Sequence, residues 1–164
     1  RIDKDTSGIL IIAKNRKFAQ LFTTLFRIRK IHKTYLALVY GKINKSVKQM
    51  KDDLIYYENN KKITQKAVSN LRIIRSNEQY SYIELNPITG RKHQLRKQLS
   101  IIGHPIYGDD KYNSNIKLKT KNKELMLHSY MIKFIINDKK YTYKALLPKY
   151  FRKLIKTKRL KFLN

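Results

Sequence analysis

Residues 1–14 read RIDKDTSGILIIAK: Asp3, Asp5 and a Thr6-Ser7-Gly8 turn stand directly before a continuous β-branched run. Gly8 and Asn15 bound that run, which predicts a buried strand entered from an acidic turn. The order of turn and strand separates several chemistries. A phosphoaspartate nucleophile would follow its buried strand, whereas here the apolar run comes second. An EF-hand loop would match Asp3, Asp5 and Gly8 at its first, third and sixth positions, but its twelfth position, a bidentate Glu in calcium sites, is Lys14. Two readings remain. The aspartates are turn formers bonded to nearby amides, or Asp3 is a carboxylate that attacks a nucleobase.

Beyond Lys14, Phe18, Leu21, Phe22, Leu25 and Phe26 recur at helical spacing behind a capping residue, Asn15, and predict an amphipathic helix with a core-facing stripe. KTYLALVYG (33–41) reads as a strand ended by Gly41, with Tyr35, Ala37 and Val39 on one face. Lys42 to Lys66 is polar and weakly patterned, which predicts a peripheral strand pair with a mobile loop. AVSNLRIIR (67–75) and YSYIELN (80–86) predict an antiparallel pair. PITGRKHQLRKQLSIIGHP (87–105) places a Thr-Gly turn before a basic helix carrying Leu95, Leu99 and Ile102, stopped by Gly103 and Pro105. Residues 107–124 read as a solvated basic loop, 125–136 and 140–148 as strands, and 149–164 as a basic helix or tail. The expected class is α+β: a mixed, largely antiparallel sheet with a few flanking helices.

The 164 residues suit one domain. Thirty-eight Lys and Arg against eleven Asp and Glu leave a formal charge of +27, uncompensated by any acidic block, which points to a polyanionic partner. A coding bias toward Lys, Asn, Ile and Tyr accounts for part of the excess without weakening its attraction for phosphates. There is no cysteine, which removes disulfides, thiol nucleophiles and Cys-based zinc sites. His32, His93, His104 and His128 show no metal-ligand spacing, so no metal is expected, and His104 and His128 are expected to be structural hydrogen-bonders. The apolar stretches are too short for a membrane span, so a soluble, cytoplasmic protein is expected.

Four segments, RIDKDTSGILIIAK, KTYLALVYG, TGRKHQLRKQLSIIGHPIYGDDKY and LMLHSYMIKF, resemble in sequence and order the RluA-type family of RNA pseudouridine synthases. The resemblance implies an enzyme that isomerises uridine in RNA, with no metal or redox cofactor. It implies that Asp3 is the nucleophile, attacking either the sugar carbon or the uracil ring. Arg96 would be its cationic partner and Tyr35 the platform that stacks on the flipped base. Arg1 corresponds to the residue that enters the RNA where the base leaves, and Arg91, Lys92 and His93 to phosphate or fold contacts on the turn into the basic helix. Lys97, Lys111, Lys117, Lys119, Lys121, Lys123 and the segment from Lys149 to Lys161 are expected to meet the RNA backbone. Ribosomal RNA, large-subunit RNA in particular, is the expected substrate, with transfer RNA as the alternative, and the protein is expected to be a monomer. Family members carry further sequence before the Arg-Ile-Asp motif, so residues 1–164 are expected to form a partial catalytic domain lacking its first strands. A non-catalytic RNA-binding module and an inactive remnant are the competing readings.

Overall fold

HKTYLALVY forms β2 (His32–Tyr40), and Leu36 through Tyr40 are buried on both faces, which places this strand in the middle of a sheet. The computed structural model describes residues 2–113 and 124–160. Its elements in chain order are β1 (Ser7–Gly8), α1 (Arg16–Arg27), β2, β3 (Gln49–Glu58), β4 (Lys61–Ser76), β5 (Tyr80–Pro87), α2 (Gln94–Ile101), β6 (Leu127–Ile136), β7 (Lys139–Lys144) and α3 (Lys149–Thr157). The sheet runs β1-β6-β2-β5-β4-β3, with β7 also on β6. Every pairing is antiparallel except the two-residue parallel contact of β1 with β6. The α+β architecture expected from the sequence is the one observed.

Period-two alternation gives the sheet two working faces. Leu36 and Leu38 lie opposite Glu84 and Tyr82 of β5, and the Tyr82 and His128 rings meet Phe151 of α3 edge-on. The segment expected as a basic helix or tail is therefore a core helix: Phe151 and Ile155 are fully buried, and Leu160 beyond them nearly so. Tyr35, Ala37 and Val39 share the other face with Leu85 and Ile83, and there α1 and α2 pack. Asn15 caps α1 by accepting from the Phe18 amide at 3.1 Å. Of its apolar stripe Leu25 is buried and Phe22 stands edge-on to Phe134, while Phe18 and Phe26 stay substantially exposed.

Three expectations are corrected. The run after Gly8 is not a buried strand: Ser7 and Gly8 pair with β6, the Ile9 amide donates to the Ser129 carbonyl at 2.9 Å, and the ladder stops. From Met131 onward the outer edge of β6 is occupied by β7, so the apolar run has no partner strand. Ile9 and Ile11 still pack on the Ile132–Phe134 cluster, while Leu10 and Ile12 face outward. Residues 42–66 hold the expected peripheral strand pair, β3 with the start of β4, and what differs is its extent. Asn59 and Asn60, at φ 47° and 61°, make a two-residue turn of the type favoured in hairpins, and β4 continues without a break through the segment expected as a separate strand. Residues 107–113 are not a solvated loop either, because Tyr107, Asp109 and Asn113 are buried. Lys117, Lys119, Lys121, Lys123 and Lys161 lie outside the described residues.

In the β2–β6 ladder Thr34 faces Met131 but Tyr35 faces Ser129, so Tyr130 is an extra residue and β6 bulges beside Tyr35. Gly8, at φ +105°, lies against the same strand; a Cβ there would stand 2.2 Å from the Ser129 carbonyl oxygen. Gly8→Ala is expected to cost at least about 2 kcal/mol in a denaturant titration, because strained backbone and a backbone clash coincide.

Candidate active site

The acidic turn is closed by the Thr6 amide donating to the Asp3 carbonyl at 3.0 Å, and docking of β1 on β6 swings Asp3 over the α2 face of the sheet. Asp3 lines a cavity of about 340 Å³ together with Thr6, Lys33, Tyr35, Arg91 and His93; its apolar wall includes Ile11, Leu95 and Leu127. The size suits a small ligand or one nucleoside unit. The Tyr35 hydroxyl is hydrogen-bonded to Ser129, the residue beside the bulge, and burial pushes its pKa up, so it remains a neutral phenol.

Arg96 reaches this carboxylate from α2. Its Nη1 lies 3.9 Å from Asp3 Oδ2, while Nε and Nη2 both donate to Asp109 at 2.8 Å. Arg96 and Asp109 are both buried, which is tolerable because the pairing is bidentate and Asp109 also accepts from the Lys111 and Tyr112 amides at 3.1 Å. The hydrogen bonds to Asp109 hold the Arg96 guanidinium above its ordinary pKa, against the effect of burial. A permanently charged, oriented guanidinium thus faces Asp3. His93 Nε2 lies 3.8 Å from Asp3 on the other oxygen, and His93 Nδ1 is 2.6 Å from the Tyr112 hydroxyl. Burial pulls the His93 pKa down most; Asp3 pulls it up, and Arg96, Lys111 and Lys92 add to the lowering.

The turn into α2 is held from below by buried amides. Gln94 Oε1 accepts from the Thr89 hydroxyl at 2.7 Å and from the Arg91 amide at 3.0 Å, while its Nε2 donates to Ser69 Oγ at 2.8 Å. Ser69 in turn donates to Gln98 Oε1 at 2.7 Å, and Gln98 Nε2 donates to Asp52 at 2.7 Å. A fully satisfied buried network of this kind fixes one geometry. It holds His93 in a left-handed conformation, φ 52°, directly before α2.

The structure brings Asp3, Tyr35, Arg91, His93 and Arg96 together at or beside one cavity. Lys92, Lys97 and Lys111 form a cationic cluster next to it: Lys111 and Lys92 both depress the Lys97 pKa, after burial, and the Lys97 ammonium lies 3.8 Å over the Tyr56 ring. Arg1 lies outside the described residues. Sequence reasoning missed Asp109, Tyr112, Thr6, Lys33 and the glutamine network. Gln94 and Gln98 sit four apart on one helix face, the single available signal; Asp109 had none, since its partner is 13 residues upstream. His104 and His128 take the structural places expected of them: His104 Nδ1 is 2.9 Å from the Tyr40 carbonyl, and His128 Nδ1 is 2.9 Å from Ser7 Oγ. Among the described residues no cluster of His, Cys, Asp and Glu could hold a metal, and no helix is long and apolar enough to cross a membrane.

A carboxylate and a tyrosine ring thus line one nucleoside-sized cavity, with a fixed guanidinium beside it. Residues 1–101 match the family model described as RNA pseudouridylate synthase, and the chain belongs to that family. Ribosomal large subunit pseudouridine synthase C of Rickettsia bellii is 34% identical over 168 residues, covering 94% of this chain and 54% of that protein. The tRNA pseudouridine synthase C of Haemophilus ducreyi is 35% identical over 156 residues, covering 82% of this chain and 64% of that protein. Among solved structures, human RNA pseudouridylate synthase domain containing 4 superposes with a TM-score of 0.86 at 25% identity, over all of this chain and 76% of that one. The chain spans about half the length of the Rickettsia relatives it matches.

Two outcomes follow from the groups lining and supporting the cavity. His93 and His128 are held below the ordinary histidine value of 6.5 chiefly by burial, so below that pH the unfolded chain binds protons that the folded one refuses. The stability contribution of neutral imidazole is complete above about pH 6.5 and is lost as pH falls toward the folded pKa values; the melting temperature should drop over that window, less steeply in His128→Asn. Thr6 Oγ1 is the one buried side-chain polar atom without a hydrogen-bond partner among the described residues. Thr6→Val should therefore stabilise the ligand-free protein, by about 1 kcal/mol in thermal melts.

Proposed function

We propose that this chain is the catalytic core of an RNA pseudouridine synthase acting on uridine in ribosomal RNA. The observation that carries the reading is the placement of the Asp3 carboxylate between the Arg96 guanidinium and the His93 ring, on the wall of the cavity that Tyr35 also lines. The ribosomal assignment draws on the printed names of the Rickettsia relatives, and the Haemophilus relative makes transfer RNA the alternative.

In this reading an extruded uridine enters the cavity and stacks on Tyr35, the unstacking cost being offset by phosphate contacts along Lys92, Lys97 and Lys111. The Asp3 carboxylate forms a covalent bond to the nucleoside, at the sugar C1′ or at the uracil ring, and the N1–C1′ bond breaks. The uracil turns within the enclosed space and a C5–C1′ bond forms. C5 loses its proton, N1 gains one, and Asp3 is released, so the product is an isomer of the substrate and no electrons are exchanged with a cofactor. The Arg96 guanidinium, 3.9 Å from Asp3, places a positive charge beside the attacking carboxylate. The +27 charge supplies the sequence-independent part of RNA affinity.

Incubating the chain with unmodified ribosomal RNA and mapping pseudouridine tests this directly. The parent should convert specific uridines, and Asp3→Asn should lower the rate by at least about a thousandfold while still binding RNA. Conversion by the variant at the parental rate would remove Asp3 from the chemistry. Binding without conversion by the parent would favour an RNA-binding module, and preference for a transfer-RNA stem-loop would overturn the ribosomal assignment.

A further inference from the structure

Lys33 is a half-buried cation on the cavity wall with no ion-pair partner among the described residues. It precedes Tyr35 by two residues on β2, so both side chains project to the same face, and both line the cavity that holds Asp3. Its Nζ packs between the Phe26 ring, 6.0 Å from the centroid, and Gly90, where an added Cβ would stand 3.5 Å away. None of the ion pairs among the described residues includes it. Burial alone draws its pKa below the ordinary lysine value. Most lysines of this chain are solvated, and a solvated lysine needs no partner. A half-buried ammonium on a cavity wall does, because its charge has lost part of its hydration.

Thr6 lines the same cavity, but its hydroxyl oxygen is closed off from solvent and so offers a ligand nothing; the charged side chains decide what the cavity takes. Among the cavity-lining residues Asp3 is the sole carboxylate, Tyr35 is a neutral phenol, and Lys33, Arg91 and His93 are basic, so the lining is cationic in balance.

We propose that Lys33 binds a backbone phosphate of the nucleotide whose base rests on Tyr35, and so sets how deeply that nucleotide enters. The proposal rests on the uridine-isomerising reading above and names the part of the substrate that this side chain holds. The Cα positions of Lys33 and Tyr35 are about 7 Å apart along an extended strand, a spacing on the order of one nucleotide. Phe26 beside the ammonium is 41% exposed, which puts Lys33 at the mouth, where the RNA backbone passes, and the base deeper. An ammonium there discriminates a full negative charge from a neutral uracil carbonyl far more strongly than a solvated lysine would. Lys33 is then a substrate-positioning residue, separate from the bond-making group Asp3.

The test titrates uridine and uridine 3′,5′-bisphosphate into the full chain, followed by NMR chemical shifts. The parent should bind the bisphosphate more tightly than uridine. Lys33→Met should lose about tenfold or more of the bisphosphate affinity with uridine affinity unchanged, Lys33→Arg should keep most of it, and Lys30→Met, a surface control, should resemble the parent. Lys33→Gln provides the same comparison should the Met variant fail to fold. Equal loss for uridine and bisphosphate in Lys33→Met, an equal effect of Lys30→Met, or no preference of the parent for the bisphosphate would each overturn the phosphate assignment while leaving the uridine-isomerising reading intact. Binding of guanosine 3′,5′-bisphosphate as tightly as the uridine compound, or binding of neither, would overturn that reading and this proposal with it.

Discussion

The buried pair of Arg96 and Asp109 is the constraint on which the site depends. Two parallel hydrogen bonds at 2.8 Å lock the guanidinium plane, so Nη1 is presented to Asp3 without rotational freedom. The pair also ties α2 to the segment after Pro105, which is attached to β2 through the Val39–Ile106 bridge and the Tyr107 amide donating to Leu38. Helix, loop and central strand are thereby fixed by one interaction. Burial of such a pair yields little net stability, but loss of either partner would leave an uncompensated charge in the interior, a cost of about 3 to 5 kcal/mol. Its contribution is to geometry: Asp109 holds Arg96 at 2.8 Å so that Arg96 stands at 3.9 Å from Asp3, near its carboxylate without a direct hydrogen bond to it.

The two sheet faces divide the remaining work. Behind β2, α3 supplies Phe151 and Ile155 to a largely apolar core, in which the His128 ring is the buried polar group against Phe151. In front, α2 rests on a layer of amides and hydroxyls running from Asp52 through Gln98, Ser69 and Gln94 to Thr89. An apolar layer could hold a helix as firmly, but it would leave the Thr89-Gly90-Arg91 turn without specified amide partners. The network ends on the Arg91 amide, and through it the hydrogen bonds of the interior reach the cavity wall. The β6 bulge does the same from the opposite side, aligning Ser129 with the Tyr35 hydroxyl.

Much of this was legible in the sequence. Asn15 as a cap, β2, the basic helix after the Thr-Gly turn, and the α+β order are set by local chemistry, and Asp3, Tyr35 and Arg96 were legible as a set through the resemblance of their motifs. What escaped depends on non-local packing. The run Ile9–Ala13 carries every strand signal, yet β7 takes the edge it would have used, and no local pattern reports competition for an edge. Asp109 reads as a loop acid because its partner lies one helix away. Residues 149–164 read as a basic helix or tail, and the burial of Phe151 and Ile155 in that helix was not read because Lys and Arg outnumber the few apolar positions that decide it. Lys33 and Thr6 read as ordinary strand and turn residues; only the fold reveals that the Lys33 ammonium has no ion-pair partner, and Thr6 Oγ1 no hydrogen-bond partner, among the described residues.

The contact of β1 with β6 joins residues 121 positions apart, Ser7 and His128, through a ladder two residues long. Closing a loop of that length carries a large entropic cost, and so short a ladder returns little against it. The β3–β4 hairpin, by contrast, closes across a two-residue turn and can form early. Asp3 therefore belongs to a segment held by few pairings, while Arg96 and Tyr35 belong to elements tied into the sheet and its buried pairs. The position of Asp3 would then follow a local equilibrium of residues 2–10, adjustable by anything that binds across Ser129 without unfolding the rest.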